Sequence, residues 1–450
     1  MAGVVAMAGP QGGRSLPRGR AVLAVVSVVA VFAAMAGIFT ASPPSARASA
    51  AVSPEVVLTG GDVAFVMGGS GIPLPSPGYV NAADLLYLEP HGFTGTAKSL
   101  FTPQLYFPGN ISMVQGAQIL ADAIQRQIAG GGVNADNPVY VFGYSQSSAM
   151  SSMTMEQLHH QGVPAEDVHF VLVGNSANPN GGLLQLLNFW GGDLTFWNGM
   201  TLGHPTPDHF ATDVYTLEYD GYADFPRYPL NLVADLNAIV GMFSTHIAYF
   251  GLTSEDIANA VQLETTGDSL TNYYIIPSET LPLVDLLRLN PGWGNPLADL
   301  LEPSLRILVN LGYGSLTEGW NQGPANMPTS FSLELLPSHI SWDEVNAALS
   351  VAWAQGVQAA FRDLGTPGNY VWGSFLEQEP FSTLWNAAQR VFFDIQSPTP
   401  AFGGLFGGSA VATDATDAPD LLSSLASFLD DNPVLSWIGD LFGLDSLTAA

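Results

Sequence analysis

The sequence predicts an α/β fold with a central, mostly parallel sheet, followed by a helical C-terminal extension. Between about residues 55 and 276, short β-rich runs alternate with helical stretches. The strand-like runs are continuously apolar, as expected of parallel strands that are covered on both faces. Beyond residue 276 the pattern changes to helices interrupted by proline.

Each element is predicted from its own local pattern. A helix at 111–128 carries apolar residues at helical spacing and ends at a run of three glycines, and a second helix at 229–242 follows the last long strand. Further helices are predicted within 281–312, broken by Pro282, Pro291 and Pro303, and at 341–364 and 381–393. Strands are predicted at 62–67, 139–142, 168–173 and 214–219.

The composition excludes several classes of protein. The chain has 450 residues, of which 47% are hydrophobic and 11% charged, so it can bury a large core. Lysine and arginine total 11 against 39 for aspartate and glutamate, which argues against a nucleic-acid partner. The absence of cysteine excludes a disulfide, a thiolate nucleophile and a cysteine-ligated metal.

Residues 1–50 resemble an export signal. Arg14, Arg18 and Arg20 precede an uncharged run at 21–40, and small residues at A-x-A spacing follow at 46–50. The alternative is an uncleaved membrane anchor, because twenty apolar residues can span a bilayer. Either way, we expect an exported protein that is secreted or held in the cell envelope. An acidic body is not drawn to anionic lipid by charge, so apolar surface would have to hold a lipid-like substrate.

The strongest chemical motif is a serine in a strand–turn–helix context. The run Gly143-Tyr144-Ser145-Gln146-Ser147 follows the predicted strand at 139–142 and precedes a helical stretch. A G-x-S-x-small sequence in this context is typical of the nucleophile elbow of α/β-hydrolases, where small residues on either side of the serine avoid a clash in the sharp turn. We therefore predict Ser145 as a nucleophile.

A serine nucleophile needs a base and an acid, which follow it in chain order in this fold. His246 is the predicted base, since it comes one helix after the acidic loop that follows the strand at 214–219. A much longer connection would be needed to bring His339 back to the site. Two aspartates of that loop could orient the base. Asp224 is preferred, and Asp220 is the alternative acid.

The donors for an oxyanion should come from the residue after the nucleophile and from a loop after an earlier strand. Gln146 supplies the first backbone N–H. The second is predicted from the glycine-rich loop at 68–71, through Gly69 and Ser70, and the Ser70 hydroxyl could also donate.

Several stretches together resemble the PE-PPE domain of mycobacteria and related actinobacteria. They are MGGSGIPLPSP at 67–77, VFGYSQSSAM at 141–150, LEYDGYADFPRYPLNLVADLNAIVG at 217–241 with the following His246, and YYIIPSETLPLVDLLR at 273–288. The resemblance covers roughly residues 60–310 and implies a serine α/β-hydrolase similar to cutinases and lipases. It assigns the triad to Ser145, His246 and Asp224, or Asp220 in its place. Because no PE or PPE helical module is recognised, no PE/PPE partner is expected.

The expected domains are a leader at 1–50, the hydrolase domain at 55–310, a helical extension or cap at 311–396, a flexible linker at 397–420 and an amphipathic segment at 421–450. The apolar stretch at 183–200 is a candidate lid, and Trp293 and Trp320 are candidates for an acyl groove, although core packing explains each of these residues better. No cofactor and no metal site is predicted, since His204, Asp208 and His209 form only a weak pattern.

The sequence thus predicts an exported serine esterase that acts on acyl esters or glycolipids of the envelope through an acyl-enzyme. The resemblance also implies acyl transfer to trehalose as an alternative to hydrolysis. A non-catalytic envelope-binding protein that keeps the fold is the rival from another class.

Overall fold

A computed structural model describes most of the central part of the chain. The predicted leader, the linker at 397–420, the segment at 421–450 and Trp293 lie outside the described residues, as do His204 and most of the candidate lid. The described residues are 63–105, 109–187, 194–195, 201–202, 205–289, 294–364 and 380–392.

A seven-stranded sheet forms the centre of the fold, with the order β2-β1-β3-β4-β7-β9-β8. All its neighbours pair in parallel except β8, which pairs antiparallel with β9 at one edge. The predicted α/β fold with a mostly parallel sheet is therefore confirmed. The strands of this sheet are β1 (Val63–Val66), β2 (Thr96–Ser99), β3 (Val139–Tyr144), β4 (Val168–Val173), β7 (Ala211–Leu217), β8 (Val261–Gln262) and β9 (Thr271–Ile276), and a separate antiparallel pair is formed by β5 (Leu194–Thr195) and β6 (Thr201–Leu202).

Helices connect the strands and then form the extension. Short 3₁₀ turns also occur at Glu89–His91, Thr245–Ile247 and Tyr249–Gly251. The α-helices are α1 (Pro77–Ala83), α2 (Gly109–Ala129), α3 (Gln146–His160), α4 (Leu183–Leu186), α5 (Leu232–Gly241), α6 (Ser254–Ala258), α7 (Pro282–Arg288), α8 (Gly294–Asn310), α9 (Trp342–Leu364) and α10 (Phe381–Phe392).

Apolar side chains cover the sheet on both faces. On one face, Phe65 and Val141 pack with Leu120 of α2 and Met150 of α3. On the other face, the cluster contains the aromatic side chains Tyr79, Tyr87, Phe142, Tyr249 and Phe250. This double coverage explains why the strands read as continuously apolar in the sequence.

Two local predictions are wrong. Pro303 was expected to break a helix, but it lies inside α8, which continues to Asn310. A proline removes one backbone hydrogen bond from a helix. The neighbouring Glu302 anchors α8 by accepting from the backbone N–H of Leu281 at 3.0 Å and by pairing with Arg288 and Arg306. The strand expected at 214–219 is instead β7, which begins and ends earlier in the chain.

The extension packs against the sheet domain. Helix α9 approaches α8 so closely at Gly356 that a Cβ there would lie 2.1 Å from the carbonyl oxygen of Leu300. Helix α10 places Arg390 against the turn at Tyr249–Gly251, where it donates to the carbonyls of Phe250 and Leu252 at 2.9 and 2.7 Å. Among the described residues, none of the helices has the length and hydropathy of a membrane span.

Candidate active site

Ser145 lies at the sharp turn between β3 and α3, with φ of 57° and ψ of −117°. A non-glycine residue rarely adopts this backbone conformation, which is typically found at functional sites. The turn also requires the small residue predicted before the serine, since a Cβ on Gly143 would lie 3.1 Å from backbone atoms of Ser147 and Ser148. The predicted nucleophile elbow is therefore present in the geometry.

Ser147 holds the turn from within. Its hydroxyl accepts from the backbone N–H of Tyr144 at 2.9 Å and donates to the carbonyl of the same residue at 3.0 Å. The side chain is completely buried. At a position where the G-x-S-x-G motif has glycine, this serine therefore stabilises the turn through its hydrogen bonds and does not add a second exposed hydroxyl.

His246 joins Ser145 at the carboxyl edge of the sheet. Its Nε2 lies 2.8 Å from Ser145 Oγ, although 101 residues separate the two in sequence. The imidazole is carried by the 3₁₀ turn Thr245–Ile247 and is buried, whereas Ser145 is partly exposed. Ser145 and His246, which were paired from chain order alone, thus lie within hydrogen-bond distance of each other.

The acid on His246 is Asp220, not the preferred Asp224. Both carboxylate oxygens of Asp220 lie within hydrogen-bond distance of His246 Nδ1, at 2.9 and 2.8 Å. Asp224 instead accepts from the side-chain nitrogen of Asn321 at 2.6 Å. The preference for Asp224 is therefore corrected to the alternative.

The turn after β7 explains why Asp220, and not Asp224, contacts His246. Tyr219 adopts a left-handed φ of 67°, and the backbone N–H of Asp220 bonds back to the carbonyl of Leu217 at 3.0 Å. Asp220 is thereby placed at the end of the sheet. One further turn, closed by the N–H of Asp224 on the carbonyl of Asp220 at 2.8 Å, carries Asp224 away towards residue 321. A left-handed tyrosine leaves no recognisable signal in the sequence.

Burial favours the neutral form of Asp224. Its Oδ2 has no partner among the described residues, and burial raises the pKa of its carboxyl well above the usual value. A carboxyl whose neutral form is favoured is a poor partner for an imidazolium. Its bonding to Asn321 ties the acidic loop to the extension.

Three tyrosines that sequence reasoning missed surround the histidine. The Tyr144 ring stacks on His246 with centroids 5.3 Å apart, and its hydroxyl donates to the His246 carbonyl at 2.7 Å. Tyr222 contacts the imidazole at 4.6 Å between centroids. Tyr249 donates to Asp220 Oδ2 at 2.7 Å. All three are near the triad in sequence, but nothing in their spacing distinguishes them from core aromatics.

Gly174, directly after β4, makes room for the imidazole. It has a left-handed φ of 59°, and a Cβ there would lie 2.9 Å from Cε1 of His246. The position therefore requires glycine both for its backbone conformation and for the space that His246 occupies.

The glycine-rich loop after β1 lies beside the nucleophile, as predicted. A Cβ on Gly69 would lie 3.3 Å from Cβ of Ser145. The N–H groups of Gly71 and Ile72 are bonded to the carbonyls of Gln104 and Gly69. Within the part of the chain that the structure describes, the backbone N–H groups of Gly69, Ser70 and Gln146 have no hydrogen-bond partner.

The Gln146 side chain links the turn at Ser145 to Leu105 and to helix α2. Its amide nitrogen donates to the carbonyl of Leu105 at 3.0 Å, and its oxygen accepts from the Ser112 hydroxyl at 3.1 Å. Leu105 and Ile247, which follows the histidine, are 46% and 51% exposed. Large apolar side chains thus reach solvent in the segment bonded to Gln146 and directly after His246.

An apolar cluster lies behind the site. It joins Ala149 of α3 to leucines of α4 and to Phe225 and Met242, and the partly exposed Tyr222 and Phe243 pack against it. The part of the candidate lid at residues 183–187 is therefore packed in the core, and the other described part, β5, pairs with β6. The neighbouring Trp320 is held in the loop that leads to Asn321, where the side chain of Gln322 donates to its carbonyl at 2.8 Å.

The other histidines that the structure describes lie away from Ser145. His159 stacks on His209 at the surface, with ring centroids 3.9 Å apart, and His339 bonds to the carbonyl of Gly314. Asp208, part of the weak metal pattern, instead accepts from the Thr271 hydroxyl at 2.8 Å. His169 contacts Asp213 in a separate polar cluster.

Fold and site together define an α/β-hydrolase-type domain with a serine, a histidine and an aspartate at the carboxyl edge of its sheet. The PE-PPE domain family matches residues 94–314 of the chain. The chain therefore contains a PE-PPE domain, as its motifs predicted.

Curated relatives come from Mycobacterium tuberculosis. The uncharacterized PPE family protein PPE28 is 46% identical over 60% of this chain and 42% of its own length. Esterase PE16 is 37% identical over 65% of this chain and 54% of its own. SL1278 acyltransferase Chp1 is more distant, at 26% identity over 40% of this chain and 45% of its own. The chain thus spans about half the length of each of these relatives.

Proposed function

We propose that the protein is a serine esterase that cleaves acyl esters through Ser145, His246 and Asp220. The observation that carries the proposal is the continuous hydrogen-bonded chain from Ser145 Oγ through both imidazole nitrogens to the Asp220 carboxylate. The relationship to a protein named esterase supports it.

Proton transfer follows from the tautomer that this chain selects. Asp220 accepts the proton on His246 Nδ1, so Nε2 carries the lone pair that faces the serine hydroxyl. When Ser145 Oγ attacks the ester carbonyl, Nε2 takes its proton and then returns it to the leaving alcohol. Water attacks the resulting acyl-enzyme by the same route, releasing the carboxylic acid and restoring the serine.

The oxyanion would be bound by backbone donors. The N–H groups of Gly69, Ser70 and Gln146, which lack partners among the described residues, flank Ser145, and the N-terminus of α3 adds a favourable field. The Ser70 hydroxyl is a further donor. Removing one such donor typically lowers kcat by about 10²-fold or more.

The acyl chain would be held by apolar surface. Leu105 and Ile247 are exposed beside the site, and the chain carries a net charge of −28, which argues against attraction to anionic lipid by charge. We therefore propose uncharged acyl esters, including envelope lipids, as the substrate class. Export to the envelope, with the leader cleaved or kept as an anchor, stays a prediction of the sequence.

The test is turnover of p-nitrophenyl butyrate by Ser145→Ala. We expect its loss, whereas Ser350→Ala should keep wild-type turnover, because Ser350 is exposed on α9 and its hydroxyl donates to the Asn346 carbonyl of the same helix. Undiminished turnover in Ser145→Ala would refute the assignment. A folded wild-type protein that ignores activated esters but binds glycolipid would favour the non-catalytic rival.

Acyl transfer is the second candidate function, favoured by the relationship to a protein named acyltransferase. The acyl-enzyme would be the same, and a sugar hydroxyl would replace water as the acceptor. Product analysis with trehalose esters as both donor and acceptor separates the two, because transfer yields more highly acylated sugar and hydrolysis yields free acid.

A further inference from the structure

A second cluster of polar side chains lies on the sheet, away from the triad. His91 Nδ1 lies 3.1 Å from Asp213 Oδ2, and His169 Nε2 lies 2.6 Å from the same oxygen. The three potential ligand atoms are all within 4.8 Å of one another. We propose that His91, His169 and Asp213 bind a divalent transition-metal ion of the zinc type.

The sheet sets the position of two ligands. His169 is the second residue of β4 and Asp213 the third of β7, and these strands are neighbours in which Val171 pairs with Asp213. His169 and Val171 are two residues apart and share a face, so His169 and Asp213 project from the same face of the sheet. The site therefore lies near the amino ends of the strands, whereas Ser145 follows the carboxyl end of β3.

The third ligand closes the site from outside the sheet. His91 ends the 3₁₀ turn Glu89–His91, and its carbonyl accepts from the Tyr140 hydroxyl at 2.9 Å. The Tyr140 ring in turn stacks on His169 at 4.9 Å between centroids. Both imidazoles are therefore oriented by contacts that do not involve the nitrogen atom facing Asp213.

The distances suit a metal. With ligand bonds of about 2.0–2.1 Å, donor atoms around tetrahedral zinc lie roughly 3.3 Å apart. The two N···O distances are 3.1 and 2.6 Å, and all three ligand atoms lie within 4.8 Å of one another, so an ion fits after small side-chain shifts. Two imidazoles and one carboxylate are a usual ligand set for such ions, with a water in the remaining position.

The neighbours provide the hydrogen bonds that metal ligands require. Asn272 donates to Asp213 Oδ1 at 3.0 Å, leaving Oδ2 for the ion. Tyr215 Oη lies 2.9 Å from His91 Nε2 and can accept its proton when Nδ1 binds the metal. A ligating histidine commonly donates its other N–H in this way.

Charge and access also favour an ion. The Asp213 side chain is 3% exposed, so little water competes for its carboxylate oxygens. The histidine side chains are 14% and 18% exposed, which leaves a path for an ion to enter.

The test is equilibrium dialysis of the folded chain against Zn²⁺ alone, with Co²⁺ absorption as a second readout of the ligand set. We expect a single zinc equivalent in wild type and in Ser145→Ala, and its loss in His91→Gln and in Asp213→Asn. His209→Gln, in the stacked surface pair, is the matched control and should keep the ion. Zinc should also raise the Tm of wild type, by about 5 °C, and not that of His91→Gln.

Labelling of Ser145 by a fluorophosphonate shows that each variant is folded. If either His91→Gln or Asp213→Asn is not labelled, the zinc content of the other variant is compared with that of wild type. Absence of saturable zinc binding in wild type, or an undiminished zinc equivalent in both His91→Gln and Asp213→Asn, would overturn the proposal in favour of a histidine–aspartate hydrogen-bond network only.

Discussion

Tyr249 donates its phenolic hydrogen to Oδ2 of Asp220 at 2.7 Å, in a site where both side chains are completely buried. The same hydroxyl accepts from the backbone N–H of Leu217 at 3.0 Å, at the end of β7. The phenol therefore fixes the carboxylate to the sheet, and the backbone N–H of Tyr222 also donates to Oδ1 of Asp220 at 3.0 Å, beside His246.

Removing this hydroxyl should affect kcat more than KM. In Tyr249→Phe we expect kcat to fall about tenfold, since a buried hydrogen bond to a charged group contributes roughly 1.5–3 kcal/mol.

The control for this prediction is Tyr87→Phe. Tyr87 is equally buried, but its hydroxyl donates to the backbone carbonyl of Tyr249 at 2.8 Å rather than to the carboxylate. Both variants should lose stability, and only Tyr249→Phe should lower kcat. An equal fall in kcat in the two variants would show that Tyr249 acts only in packing.

The two aspartates of the acidic loop should differ sharply. We expect Asp220→Asn to lower kcat by about 10³- to 10⁴-fold, because an amide cannot select the required tautomer of His246. Asp224→Asn should keep kcat within about threefold, since burial raises the pKa of that carboxyl and so favours its neutral form, and an amide oxygen can still accept from Asn321. Ester kinetics of both variants provide the check, and the opposite ranking would restore Asp224 as the acid.

Gly174 tests the space around the histidine. Gly174→Ala should lower kcat/KM by about 100-fold, because the new Cβ would lie 2.9 Å from Cε1 of His246 and push the ring away from Ser145. Gly162→Ala is a matched control, since Gly162 has a similar left-handed φ of 76° but open space around its Cα. Both changes strain the backbone, and a comparable loss of activity in both would show that strain alone is responsible.

Asp235 in α5 should make the protein less stable as pH rises. Burial raises its pKa to about 8, and neither carboxylate oxygen has a partner among the described residues. The folded state thus keeps a proton that the unfolded chain releases near pH 4, so stability falls between about pH 4 and pH 8.

Asp235→Asn removes this titration. Its Tm relative to wild type should rise by about 3 °C or more between pH 5 and pH 8, whatever the constant cost of burying the amide. Thermal melts of both proteins across this range measure the difference. Parallel Tm curves would contradict the assigned burial of a protonated carboxyl.

Sequence reasoning predicted the elements whose signals are local. The apolar run of β4 and the glycine stop after α2 identify their elements closely. The elbow at Ser145 could be predicted because its small neighbours are a direct steric requirement of the turn. Chain order was enough to predict His246, because a connection of only one helix leads from the acidic loop to this histidine.

The parts that sequence missed depend on contacts between distant segments. Asp220 and Asp224 are separated only by a turn whose direction follows from the left-handed Tyr219, and the partner of Asp224 is Asn321, 97 residues further on. The His91–Asp213 contact spans more than a hundred residues and has no spacing to recognise. Pro303 continues its helix because tertiary packing of α8 overrides the local preference.

The most direct test of the proposed triad is the position of a fluorophosphonate adduct on the intact chain, located by mass spectrometry of chymotryptic peptides. We expect a single phosphonyl group on Ser145, formed as its Oγ displaces fluoride with His246 taking the proton, and no adduct in Ser145→Ala or His246→Ala. An adduct on another serine, or full labelling of Ser145 in His246→Ala, would contradict the proposed site.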